Sequence, residues 1–206
     1  MSLRLLKRPI NLASRAPISQ LRLQSGQAQS SNDLPSFPSR WFADLQAQLK
    51  KLTSDNYPSS CVEEAKRQLV SNEQNWLQLL AGQQGFLTDK KWRGLDNHQL
   101  LWGDMPLEFP DHITVLYKLL EAPTNESTSL KMEAWILSEQ YRRLAARCID
   151  DTAIYDYTAA KKTVLKPFMV EKFQQTFSMQ QANQKKYTDQ AKQAIEAARE
   201  LQIKYT

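Results

Sequence analysis

The chain begins with a long stretch that has no acidic residue. The first 32 residues, MSLRLLKRPINLASRAPISQLRLQSGQAQSSN, contain no carboxylate, and the first is Asp33. Arg4, Lys7, Arg8, Arg15 and Arg22 lie among Leu, Ile, Ala and Ser. Such a segment can form a basic amphipathic helix, and it reads as a mitochondrial transit peptide. A secretory signal needs an uninterrupted apolar core, which Pro9, Asn11, Ser14 and Arg15 break. The plainer alternative is a disordered basic tail. The whole chain has 27 basic and 22 acidic residues, net +5. Removing the five basic residues of the leader leaves 22 against 22, so the body is neutral. A nucleic-acid partner is not expected, because such a domain keeps a basic face.

Other absences narrow the chemistry. No apolar run approaches the roughly 20 residues that cross a bilayer, so no transmembrane segment is expected. Cys61 and Cys148 are the two cysteines of the chain, with no C-x-x-C and no neighbouring His. A zinc site is therefore not expected, and reduced thiols that are buried or idle are. No G-x-S-x-G elbow, P-loop or G-x-G-x-x-G occurs, which removes those routes to hydrolysis and nucleotide binding. No cofactor and no metal are expected.

The residues that are present divide into helix, strand and helix. Residues 25–39, with Pro35 and Pro38, read as a linker. Trp41, Leu45, Leu49 and Leu52 predict a helix over 40–52. Ser59 or Ser60 then caps a second helix, with Glu63 and Glu64 in its first turn. Val62, Ala65, Leu69, Trp76 and Leu80 carry it to about 81, before Gly82 and Gly85. Residues 113–120 alternate as a strand, a second begins near Leu130, and Ala145 to Tyr157 reads as a third. A shorter candidate strand is Gln99 to Met105. The connections are too short for crossover helices, so the strands form an antiparallel meander. From Pro167 the chain is helical to its end. Phe173, Phe177, Gln180, Gln184, Tyr187, Ala191, Ala194, Ala198, Leu201 and Tyr205 make a weak heptad seam, suited either to a partner helix or to the chain's own domain. The expected class is α+β, with residues 1–39 as transit peptide and linker. Residues 40–206 form one domain, with 40–85 as its helical extension.

Four pieces carry a resemblance: Trp92-Arg93-Gly94-Leu95 with Leu101-Trp102-Gly103-Asp104-Met105; Pro110-Asp111-His112-Ile113-Thr114-Val115; Ile136-Leu137-Ser138-Glu139 with Ala145-Ala146-Arg147-Cys148; and Tyr155-Asp156-Tyr157 with Lys161-Lys162 and Pro167-Phe168-Met169. From about residue 86 to 185 the chain resembles the hotdog-fold thioesterase-like proteins (4-hydroxybenzoyl-CoA/acyl-CoA thioesterase-like), especially their fungal mitochondrial branch. The resemblance implies an antiparallel sheet wrapped around one long helix, a second subunit and hence a homo-oligomer, and hydrolysis of acyl-CoA thioesters. It also implies a motif W-G-D-M-D followed by H-V-N-N, whose second aspartate supplies the catalytic carboxylate.

The chain departs from that motif where the chemistry would sit. Asp104-Met105 runs into Pro106-Leu107-Glu108-Phe109, so Pro106 stands where the acid would be, and the helix-opening H-V-N-N is absent. An internal block looks lost, through alternative splicing, a gene-model error or a degenerate paralogue. The hotdog-like sheet is then incomplete. A face such as Val115, Tyr117 and Leu119 needs cover from the helices at 40–52 and 60–81 or from the C-terminal helix; otherwise the chain dimerises or misfolds.

Asp104 is the motif carboxylate that remains and the candidate catalytic residue; a turn or cap role is the plainer reading. His112, after Asp111, and His98 read as isolated residues, His112 in a solvent-facing turn. Glu139, Arg142, Arg143 and Arg147, with Asp150 and Asp151, form a charged turn and strand that suits either a CoA phosphate or a solvated hairpin. Asp150 and Asp151 point to opposite faces of a strand, which argues against a metal. Three functions follow: a thioesterase-like mitochondrial protein with impaired acyl-CoA hydrolysis, a non-catalytic structural or assembly subunit of a mitochondrial complex, and, more weakly, RNA or ribosome association.

Overall fold

The computed structural model describes residues 37–100 and 111–205. Asp104, Pro106 and most of the candidate strand 99–105 lie outside the described residues. The architecture is α+β: N-terminal helices, a four-stranded antiparallel sheet and a long C-terminal helix.

Helix α1 spans Trp41–Lys51 and buries Trp41, Phe42, Leu45 and Leu49, the spacing of one helical face. Lys50 and Lys51 sit in its last turn, where cations suit the helix dipole. Helix α2 spans Ser59–Gln74. It opens on Pro58 with no side-chain cap, so the expected Ser cap does not form. The expected single helix to residue 81 is also broken. Asn75 leaves helical geometry, at φ −106° and ψ 14°, and its side-chain amide donates to the Ser71 carbonyl at 2.8 Å. An Asn side chain that bonds local backbone in this way competes with the helix ladder. Helix α3, Trp76–Leu80, follows, then a short 3-10 turn that ends at Gly85 with φ +90°, a conformation that favours glycine.

The sheet is a meander in the order β1 (Arg93–Gln99), β2 (His112–Leu119), β3 (Ser129–Ser138), β4 (Arg143–Ala153). The first described strand precedes the expected 99–105, of which residues 101–105 lie outside the described residues. The expected strand 145–157 ends at Ala153, and a separate small hairpin pairs β5 (Tyr155–Asp156) with β6 (Lys161–Lys162). The β2–β3 register is unbroken from Ile113↔Ser138 to Leu119↔Met132.

Helix α4, Pro167–Tyr205, runs for 39 residues. Every position of the expected heptad seam is buried or half-buried in it. That seam is turned onto the chain's own domain: Ala191, Ala198 and Leu201 share one core with α1, α2 and α3. Leu116, Leu137 and Trp135 bring the sheet into the same core, around the fully buried Phe86. The apolar face expected to need one cover divides three ways. Leu119 and Leu130 pack with Leu165, Val170, Phe173 and Phe177, at the start of α4. Val115 packs with Leu100, Ile113 and Ile136. Tyr117 is exposed. Helices thus cover part of β2 and β3, while β1 and β4 are mostly exposed.

Candidate functional site

Two polar centres lie in the sheet, and neither was singled out by sequence reasoning as a centre. The first gathers where β2 begins. Asp111, next to the His112 that the sequence places in a solvent-facing turn, is 2% exposed. Its carboxylate accepts from the Ser138 hydroxyl, from the Gln140 amide at 3.0 Å and from the His112 amide at 2.7 Å. The Ser138 hydroxyl oxygen in turn accepts from the Tyr141 amide at 3.0 Å. Beside it, the fully buried Thr114 hydroxyl donates to Glu139 and accepts from the Asn97 amide at 3.2 Å. This arrangement ties the β3–β4 turn to the start of β2.

The second centre is Glu133, in the middle of β3, with its side chain 4% exposed. The Lys118 ammonium lies 3.1 Å away on the paired strand position. The Trp135 indole donates at 2.7 Å, and the Arg147 guanidinium donates from β4. Lys118 also donates to the Gln84 carbonyl at 2.9 Å and sits over the Phe86 ring. Burial pushes the Glu133 carboxyl upward, but the Lys118 charge and the hydrogen bonds from Arg147, Trp135 and Lys118 outweigh it and hold Glu133 below the usual carboxylate range. At the edge of β1, the Arg93 hydrogen bond, opposed by slight burial and aided by Lys90, likewise lowers Asp96.

These shells decide the chemistry. A general base needs a lone pair that faces substrate. Asp111 and Glu133 each spend their oxygens on three donors from their own scaffold, so both are built as fasteners. The charged residues read from the turn and β4 do not converge on one point. Arg142 pairs with Glu73 of α2 at 2.8 Å. Arg143 stacks over Tyr141, Arg147 serves Glu133, and Asp150 accepts from the Thr152 hydroxyl at 2.9 Å. A phosphate clamp made from these arginines is therefore not assembled. His98 is exposed on β1 and His112 half-buried at the first position of β2. Among the described residues, no three His, Cys, Asp or Glu side chains form a group that could hold a metal. Cys61 is buried and Cys148 exposed, both free. An open groove between α2 and α4 is lined by Glu64, Gln68, Leu201 and Lys204. Among the described residues, no helix is long and apolar enough to cross a membrane.

Glu133 carries a signal in the sequence. It is an acid inside an apolar alternation, and Lys118 occupies the preceding strand at the matching position. No family model, curated protein or solved structure matches the chain.

Proposed function

We propose that the chain is a thioesterase-like protein of hotdog type, destined for mitochondria, whose acyl-CoA hydrolysis is impaired. One observation supports this most. Three of the motif pieces fall in chain order on the strands of one antiparallel meander: Arg93-Gly94-Leu95 opens β1, His112 to Val115 opens β2, and Ile136 to Ser138 closes β3 before Ala145 to Cys148 in β4. Impairment follows from Pro106 at the motif-acid position and from the missing H-V-N-N. The two buried carboxylates of the sheet are poorly placed to replace that acid, because each is buried and held by three donors of its own scaffold. Losing a positioned acid or base costs about 10²–10⁴-fold in rate, and losing an oxyanion donor costs about 10²–10³-fold.

The test is steady-state hydrolysis of short-, medium- and long-chain acyl-CoA by the full chain and by Asp104→Asn. The expected result is turnover close to background for both. Robust turnover abolished by Asp104→Asn would make Asp104 the acid and overturn the impairment. Robust turnover untouched by that change would move the chemistry to other residues.

A non-catalytic assembly role in a mitochondrial complex is the second reading. The length of α4 favours it: 39 residues make a rod of about 58 Å at ~1.5 Å per residue. Its outer side presents Phe168, Met179 and Ile203.

A further inference from the structure

We propose that the β5–β6 hairpin docks the chain on a bilayer surface that contains anionic phospholipid. Hairpin geometry and charge carry this, whether or not the chain hydrolyses a thioester. The two faces of the hairpin are unequal. Tyr155 pairs with Lys162, and the Thr163 amide extends the ladder by donating to the Ile154 carbonyl at 3.0 Å. Successive residues of a strand turn to opposite faces, and residues two apart share one. Ile154 is therefore on the face away from Tyr155, and it packs with the buried Leu165 and Val170. That side is fastened to the start of α4. The other face carries Tyr155, Lys162 and Val164, and the Tyr157 ring packs edge-on against Tyr155, at 5.2 Å and 67°.

That outer face is apolar where water should meet it. Tyr157 is 89% exposed, and Tyr155 and Val164 are exposed as well. Phe168, four residues beyond Val164 in the first turn of α4, is 62% exposed. Exposed apolar groups rimmed by polar ones mark a docking surface.

Charge names the occupant. Lys161, Lys162 and Lys166 are exposed, and among the described residues none of the three forms an ion pair. Cations of the sheet behave differently: Lys118, Arg142 and Arg147 each hold a carboxylate. The acid between the tyrosines, Asp156, is committed to the turn. Its carboxylate accepts from the Thr158 amide at 2.9 Å and the Ala159 amide at 3.1 Å. Those bonds hold the loop in shape beforehand, which lowers the ordering cost of docking. A layer of anionic headgroups attracts lysines held near it. Tyrosine suits the headgroup level, where its ring is buried and its hydroxyl stays wet. Val164 and Phe168 add apolar area. A single-stranded nucleic acid offers the same charge but asks for open aromatic faces on which bases stack. Here the two tyrosines close on one another, and valine has no ring to offer.

The test is co-sedimentation of the full chain with vesicles of phosphatidylcholine, alone or with about one quarter phosphatidylglycerol. The basic first 32 residues can bind an anionic surface by themselves, so an environment-sensitive dye reports on the hairpin. It is attached at Ala159→Cys in a Cys148→Ser background; Cys61 is buried. Anionic vesicles should shift this dye to the blue, neutral ones should not, and added salt should reverse the shift. Lys161→Gln, Lys162→Gln and Lys166→Gln together should weaken the dye-reported affinity at least tenfold, because each lysine near such a surface contributes about fivefold. Tyr157→Ser with Val164→Ser should weaken it too. All five positions are exposed, and far-ultraviolet circular dichroism confirms that each variant is folded before it is scored. A dye that stays in water while the chain sediments would assign binding to the first 32 residues and overturn the proposal. So would a shift that the lysine variant leaves unchanged, or lysine-dependent binding to a single-stranded RNA with none to vesicles.

Discussion

Glu133 is a buried anion shared by two cations, and its removal separates the worth of the ion pairs from that of packing. Glu133→Gln keeps the shape but leaves Lys118, with a side chain 17% exposed, without its counter-charge. Breaking a buried pair by removing one partner costs about 3–5 kcal/mol. Arg147 is half exposed, and solvent screening discounts its share. We expect Glu133→Gln to lose about 2–4 kcal/mol near neutral pH in urea unfolding. The pH dependence has a definite sign. The folded carboxyl titrates below its ordinary value of 4.5, so its contribution is complete above that pH and is lost as pH falls through the lower folded value. The gap between wild type and variant should therefore close below pH 4.5. A gap of constant size down to acid pH would show that the effect is packing and not charge. Lys118→Met should also destabilise, because it leaves Glu133 buried with less compensation.

At the scale of elements, α4 carries a polar residue in its buried seam. Gln180 is 5% exposed, and its side-chain oxygen is buried with no hydrogen-bond partner among the described residues. An unpartnered buried acceptor costs about 1–3 kcal/mol. Gln180→Leu should therefore raise stability by about 1 kcal/mol in chemical unfolding; a loss would mean that the amide's other atoms matter more. The seam was legible in the sequence because its spacing of three and four survives the polar substitutions. What it faces was not legible. Ala191 and Ala198 suit a partner helix as well as the close approach to α1 and α2 that they make here. The strands over 113–119 and 130–137 were legible from alternation. The break at Asn75 was not, because Leu69 and Trp76 keep the helical phase across it. The start of β1 at Arg93 was missed because its exposed RGLDNHQ pattern has little apolar alternation. The candidate site was the least legible part. Asp111, Thr114 and Ser138 come together only when β2 and β3 pair, and nothing local in the sequence distinguishes them.

For the whole molecule, the proposed mitochondrial targeting gives a direct expectation. A fusion of residues 1–40 to a fluorescent protein should co-localise with a mitochondrial matrix marker, because that segment holds five cations before the first acid at Asp33. Diffuse cytosolic fluorescence would refute the targeting reading. Replacing Arg4, Lys7, Arg8, Arg15 and Arg22 with Gln should abolish the co-localisation.

The junction of α1 and α2 with the end of α4 orders events at birth. Gln48 donates to Gln202 at 2.7 Å, and the Ser60 hydroxyl meets that of Tyr205 at 3.2 Å. Leu45, Leu49 and Leu52 are buried in a core that also contains Ala191, Ala198 and Leu201. The ribosome makes the first of these long before the last. At cellular elongation rates the delay is on the order of ten seconds. Through that interval the emerging helices have only part of their native cover, from one another and from Phe86, Leu116 and Leu137, and the sheet, whose contacts are local, can form first. The segment that completes the cover of α1 and α2 is made long after them, so a nascent chain of this protein is a natural client for a holding chaperone until α4 has emerged.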